Sequence, residues 1–193
     1  FKQFCLNINI MVKIIAEIGI NHNGSMELCK QMIMLAKISG CDYAKIQTYD
    51  KNSRVSLVAK SAQYVDRTLS MEENTADMFE RLRLSKDDHD FLFSYAKEIN
   101  MPFISTAFDE KSVDILMDYD VHAFKIASFD IFNLPLIKYI ASKGKPIILS
   151  TGMSGMAEIE DALEVIASQD NKNVILLHCV SSYPTDPKDV NLK

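Results

Sequence analysis

The chain has 193 residues, 48% of them hydrophobic and 24% charged, the balance of one soluble globular domain with a core of its own. A formal net charge of -5, with basic residues scattered rather than clustered, speaks against a nucleic-acid binder and for a small-molecule or protein partner. The apolar start is broken by lysines and polar residues and is read as neither a signal peptide nor a membrane span, and Cys5, Cys29, Cys41 and Cys179 lack CxxC spacing, so they read as reduced, core-filling thiols of a cytoplasmic protein.

Residues 1–12 are set apart as a non-native leader, because Met11 stands just before the first strand signal. From Lys13 the chain alternates strands and helices. KIIAEIG (13–19) reads as a strand, and SMELCKQMIMLAKISG as a helix capped by Ser25 whose apolar stripe runs through Leu28, Met32, Leu35 and Ala36. YAKIQTY (43–49) is the second strand, followed by an insertion, residues 50–84, expected to hold a loop and a short helix. A helix capped by Ser85 leads to PFIST (102–106), and DEKSVDILMDYD leads to AFKIAS (123–128). LPLIKYIASKG, PIILSTG (146–152), MAEIEDALEVIAS and NVILLHCV (173–180) complete the series.

The strands are near-continuous apolar runs, which implies a parallel sheet covered on both faces. Both an open doubly wound sheet and a closed barrel fit such alternation. EIGINHNGS has too few glycines for a dinucleotide turn, and polar residues gather where the strands end, which favours the barrel. The expected fold is therefore α/β, a (β/α)8 TIM barrel truncated after about six βα units.

The polar strand ends comprise Glu17, Asn21 and His22; Lys45 and Gln47; Ser105 and Thr106; Lys125, Ser128 and Asp130; Ser150 and Thr151; His178, Ser181 and Tyr183. Lys45 and Lys125 occupy echoing segments, YAKIQTYD and AFKIASFD, inside strands where an ammonium needs an anion or an outlet to water. Their parallel placement among hydroxyls and amides suits a phosphate; pairing with Glu17 or Asp130 is the plainer alternative. His22 and His178 are read as hydrogen-bonded loop residues before metal ligands, and no cysteine has a base partner in the sequence.

AEIGINHNGS, KIQTYD, FISTAFD, FKIASFD, NLPLIKYIASKGKPIILSTGM and LLHCVSSYPT, in this order, together resemble the N-terminal barrel of the sialic acid synthase family, which includes the pseudaminic and legionaminic acid synthases. The resemblance runs from about Lys13 to Lys193. It implies condensation of phosphoenolpyruvate with an N-acetylated aminosugar aldehyde to a nonulosonic acid, with phosphate released. It further implies a divalent metal, manganese or magnesium, that polarises the aldehyde. By the same resemblance Lys45 and Lys125 bind phosphoenolpyruvate, with Thr106, Ser128 and Ser150 adding hydrogen bonds; Gln47 and Tyr183 contact the aminosugar. Glu17 lies near the reacting centre, Asp130 handles a proton or water, and Ser181 stands where some members carry asparagine at the phosphate.

The family's two metal-binding histidines fall on later barrel units, so no metal ligand is expected in this chain, and the small antifreeze-like C-terminal domain is expected to be missing as well. A homodimer is implied for the full-length enzyme. The incomplete barrel is expected to leave its first and sixth strands as edges, to associate or dissolve poorly, and to be inactive alone. Gln63, Tyr64 and the 50–84 insertion are expected to bear on sugar choice. Three alternatives stand beside this reading: a sister sugar specificity, including spore-coat polysaccharide synthesis; a non-catalytic anion-binding barrel; and an aldolase using a Schiff-base lysine.

Overall fold

The structure is a computed structural model describing residues 12–50 and 75–191. Its six strands, β1 (Ile15–Gly19), β2 (Tyr43–Thr48), β3 (Phe103–Ala107), β4 (Phe124–Ile126), β5 (Ile147–Ser150) and β6 (Val174–Leu177), form one parallel sheet in sequence order. Parallel neighbours require crossovers, and the helices supply them. α1 (Met26–Ile38) joins β1 to β2; α2 (Thr75–Leu82) and α3 (Lys86–Glu98) precede β3; α4 (Glu110–Met117), α5 (Leu134–Ser142) and α6 (Met156–Ala167) precede β4, β5 and β6. The sheet curls into part of a TIM barrel, as the strand and helix order predicts.

Local chemistry sets the helix starts. Ser25 accepts from Leu28 N, Ser85 and Asp88 form a reciprocal capping box, Asp109 accepts from Ser112 N, and Asn133 accepts from Leu136 N with Pro135 in the first turn. The buried stripe of α1 differs from the expected one. Cys29, Ile33 and Ala36 pack inward, while Leu35 is 56% exposed. The helix is apolar over a wide arc, so helical spacing alone admits two stripes, and contact with β1 and β2 selects one.

Strand alternation divides the sheet into two faces. On the outer face Ala44, Ile46, Phe103, Phe124, Ile126, Ile147 and Leu149 pack under the helices in two clusters. On the concave face Ile104, Ala123 and Ile148 pack with Ile15, Tyr43 and Leu177. This apolar floor lies toward the strand starts, so a charged side chain rooted above it must reach toward the strand ends. At the two sides of the sheet, Ile14 beside β1 and Ile175 and Leu176 of β6 are exposed. Among the described residues no helix is long and apolar enough to cross a membrane.

Candidate active site

Lys45 and Lys125 stand two strands apart and make the same move. Lys45 is level with Ile104 on β3, and its Nζ donates to Thr106 Oγ1, two residues further up that strand, at 2.8 Å. Lys125 is level with Ile148 on β5, and its Nζ donates to Ser150 Oγ, again two residues further up, at 2.6 Å. Each stem rises past the apolar floor and delivers its charge to a hydroxyl near the strand end. The echo between YAKIQTYD and AFKIASFD is thus a repeated structural unit.

The two lysines differ in their neutralisation. Lys45 is 5% exposed and pairs with Glu17 Oε2 at 2.6 Å. Lys125 donates also to the Ile126 carbonyl at 2.9 Å, and among the described residues no carboxylate lies within ion-pair distance of its Nζ. Burial first, then the nearby Lys45 ammonium, pulls its pKa down from 10.5 to about 8, against the opposing influence of Cys179, Glu17 and Asp130. Lys125 is an under-neutralised cation beside another cation.

The hydroxyls are oriented by these donors. Thr106 Oγ1 accepts from Lys45, Ser150 Oγ from Lys125, and Ser128 Oγ from Gly152 N at 3.2 Å. A lysine ammonium and a backbone N–H only donate, so each hydroxyl keeps its own proton to offer. Three hydroxyl donors and two ammonium groups make a site that complements an acceptor-only anion.

Glu17 and Gln47 form the β1 side. The β1–β2 register slips between Glu17 and Gly19, and Gly19 adopts a φ of +55°, a conformation open to glycine. A methyl there would stand 3.1 Å from Glu17 Oε1 and 3.6 Å from Gln47 Nε2, so the bulge holds both side chains close to the backbone. Gln47 Oε1 is buried with no hydrogen-bond partner among the described residues. Asp130 is buried in the 3-10 turn Ser128–Phe132, near enough to Lys125 to influence its charge.

Of the residues singled out in the sequence, Glu17, Lys45, Gln47, Thr106, Lys125, Ser128, Asp130, Ser150 and Ser181 gather at this end of the sheet, Ser181 through its approach to Gly152. Tyr183 is 73% exposed on the segment after β6 and makes none of the cluster's hydrogen bonds with described residues. Ser105 does not join the set: strand alternation turns it to the outer face, where it meets Thr48 Oγ1 at 2.8 Å. Gln63 and Tyr64 lie outside the described residues.

Sequence reading missed Gly152, Gly19 and Cys179. The STG run after β5 was the available signal for Gly152. Cys179 is half-buried beside Gly152 rather than a core filler like Cys29. His22 is buried, and its Nδ1 accepts from Gly24 N, while His178 Nε2 bonds the Val190 carbonyl at 2.6 Å. Among the described residues no three His, Cys, Asp or Glu side chains converge as a metal site. The carboxylates nearest the cluster, Glu17 and Asp130, act on ammonium groups, so these residues do not fit a divalent ion.

Residues 32–193 match the NeuB family. The chain belongs to the NeuB family. It is 43% identical over 182 residues to N,N'-diacetyllegionaminic acid synthase of Campylobacter jejuni, a match covering 93% of this chain and 54% of that protein. It is 34% identical to human N-acetylneuraminate-9-phosphate synthase, over 93% of this chain and 50% of the relative. The N-acetylneuraminic acid synthetase structure from Leptospira borgpetersenii superposes with a TM-score of 0.79 at 30% identity, covering 93% of this chain and 58% of the other. The chain therefore spans about half the length of the curated relatives it matches.

Proposed function

We propose that this NeuB-family chain carries the phosphoenolpyruvate-binding part of a nonulosonic acid synthase. The supporting observation is the doubled lysine–hydroxyl unit with its under-neutralised Lys125. An incoming phosphate offsets the charge that burial and Lys45 make costly, and it accepts from Thr106, Ser128 and Ser150, with Ser181 at the same edge. The released phosphate of the product side is held by the same donors.

The reaction joins C3 of phosphoenolpyruvate to the aldehyde carbon of an N-acetylated aminosugar, adds water at C2 and breaks the C2–O bond to phosphate. Lys45 and Lys125 stabilise the departing anion. Glu17, beside Lys45 and open to solvent on one side, is placed to take up or return the proton of the attacking water or the new hydroxyl. Asp130, whose charge acts on Lys125, is the second candidate for handling a proton or water. Gln47 Oε1, a buried acceptor, suits a sugar hydroxyl or amide donor, and Tyr183 supplies a face at the rim. The manganese or magnesium implied by the resemblance finds no ligand set among the described residues.

Phosphate release by the intact protein, given phosphoenolpyruvate, manganese and an N-acetylated aminosugar, tests this. Dependence on all components and collapse in Lys125→Ala supports it; release unaffected by that change overturns the assignment. Running N-acetylmannosamine beside other acetamido sugars sorts the sister specificities.

The lowered pKa of Lys125 favours one second reading, a Schiff-base aldolase, since a desolvated lysine beside another cation, at about 8 rather than 10.5, has a larger free-amine fraction near neutral pH than an ordinary lysine while remaining mostly protonated. Borohydride with pyruvate then labels Lys125. Under the leading proposal no adduct forms.

A further inference from the structure

Gly152 is the point where three segments meet above β5. It is buried, its N–H donates to Ser128 Oγ at 3.2 Å, and Ser181 arrives from the segment after β6. A methyl group on its Cα would lie 2.5 Å from Ser181 Oγ, 2.9 Å from Ser128 Oγ and 3.3 Å from Cys179 Cβ. Both hydroxyls therefore occupy the volume that any side chain at residue 152 would take.

Backbone conformation does not demand glycine here. The glycines with positive φ are Gly19, Gly24, Gly40 and Gly144, and Gly152 is not among them. An alanine at this position meets no torsional strain. What excludes it is the pair of serine oxygens, and these are terminal atoms on short side chains that rotate about χ1 at small cost. The third neighbour, Cys179 Cβ, needs to yield only a few tenths of an ångström. A methyl would thus leave the fold standing and turn the hydroxyls away.

Direction matters as much as position. Because Gly152 N–H donates to Ser128 Oγ, the Ser128 hydroxyl proton is left for another acceptor. The same residue fixes Ser128 through its N–H and admits Ser181 through its missing side chain. We propose that Gly152 is a positioning residue of the anion site, keeping the Ser128 and Ser181 hydroxyls together as a donor pair for the phosphoryl group. This rests on the phosphate reading above and extends it to the loop after β5.

The test is calorimetric titration of inorganic phosphate into the intact protein, as wild type, Gly152→Ala, Ser128→Ala/Ser181→Ala, and the triple variant combining them. The expected result is about a tenfold loss of affinity in Gly152→Ala, the scale of one or two lost hydrogen bonds, with the melting temperature nearly unchanged. In the background lacking both hydroxyls, adding Gly152→Ala costs nothing more, which traces the loss to the two serine oxygens; the nearly unchanged melting temperature of Gly152→Ala is what separates displaced donors from a loosened loop. Should Gly152→Ala unfold, Gly152→Ala/Ser181→Ala removes the tightest contact. The proposal then requires it to fold and to bind phosphate no better than Ser181→Ala.

Wild-type affinity in Gly152→Ala, or a loss that persists undiminished without the two hydroxyls, overturns the positioning role alone. A wild-type protein that ignores phosphate overturns the anion-site reading itself, and this inference with it.

Discussion

On the outer face of β2 and β3, Thr48 Oγ1 sits between Ser105 Oγ at 2.8 Å and His89 Nε2 at 2.9 Å, and His89 Nδ1 faces the Ser85 carbonyl at 2.7 Å. One residue away on each strand, Gln47 and Thr106 face the concave side and belong to the lysine cluster. The outer chain closes. Nδ1–H donates to Ser85, Nε2 accepts from Thr48, and Thr48 accepts from Ser105, so every proton has a place inside the protein. The concave cluster does not close: Lys125 has no ion pair among the described residues, the hydroxyls have protons to offer and Gln47 presents a buried amide oxygen. A satisfied network anchors α3 to the sheet, and a neighbouring unsatisfied one invites a ligand.

The sharpest way to break this comparison is Lys125→Met, which keeps the stem and removes the charge. On the concave side function and stability should move in opposite directions. Phosphate affinity is expected to fall about 100-fold, the cost of losing a charge-assisted contact. Stability at pH 7 should rise by up to about 3 kcal/mol, since Lys125, pulled down from 10.5 to about 8, binds its proton less readily folded than unfolded. The sign also fixes the pH dependence. The wild type should become more stable as pH rises from about 8 toward 10.5, while its phosphate affinity declines through about 8. Urea melts and titrations at pH 7 and 9.5 check both; a variant that loses stability at pH 7 contradicts the under-neutralised lysine.

His89→Ala should do the reverse. It strands the buried Thr48 hydroxyl and leaves a void beside Phe93, at a cost of about 2 to 4 kcal/mol, with phosphate affinity little changed in the folded fraction. Burial lowers the pKa of His89 and of His22, so both are held neutral when folded. Stability is then complete above their ordinary value of about 6.5 and is lost progressively as pH falls below it. The acid sensitivity should shrink in His89→Gln. If it does not, His22 or the carboxylates dominate that limb.

How much of this was legible in the sequence depends on how local each signal is. Ser25 and Ser85 were readable as caps because the bonds they make span three residues. The lysine pair was readable because both lysines sit mid-strand in echoing K-I segments, whereas the hydroxyls they reach, Thr106 and Ser150, lie on the next strands and outside both segments. Ser105 was misplaced because proximity to a strand end says nothing about which face a residue takes, and its neighbour Thr106 takes the concave one. His89 went unnoticed since its partner Thr48 is 41 residues away. The crowding at Gly152 joins segments around Ser128 and Ser181 that only the curl of the sheet brings together.

The smallest expected effect separates binding from chemistry within the open cluster. Glu17 sits 2.6 Å from Lys45, yet its side chain is 53% exposed, so water and salt already weaken its hold. Glu17→Gln preserves shape and removes one negative charge from the rim of an anion site. Phosphate should therefore bind a few-fold more tightly at low ionic strength, and the gain should fade at high salt. A group that only neutralised Lys45 would leave turnover equal or improved, because the site would attract its anion better. A group that moves a proton would instead lose turnover while binding improves. Measuring phosphate affinity and the rate of phosphoenolpyruvate-dependent product formation on the same variant distinguishes these. Tighter binding with slower turnover assigns Glu17 to the chemistry, and tighter binding with undiminished turnover removes it from the proposed mechanism.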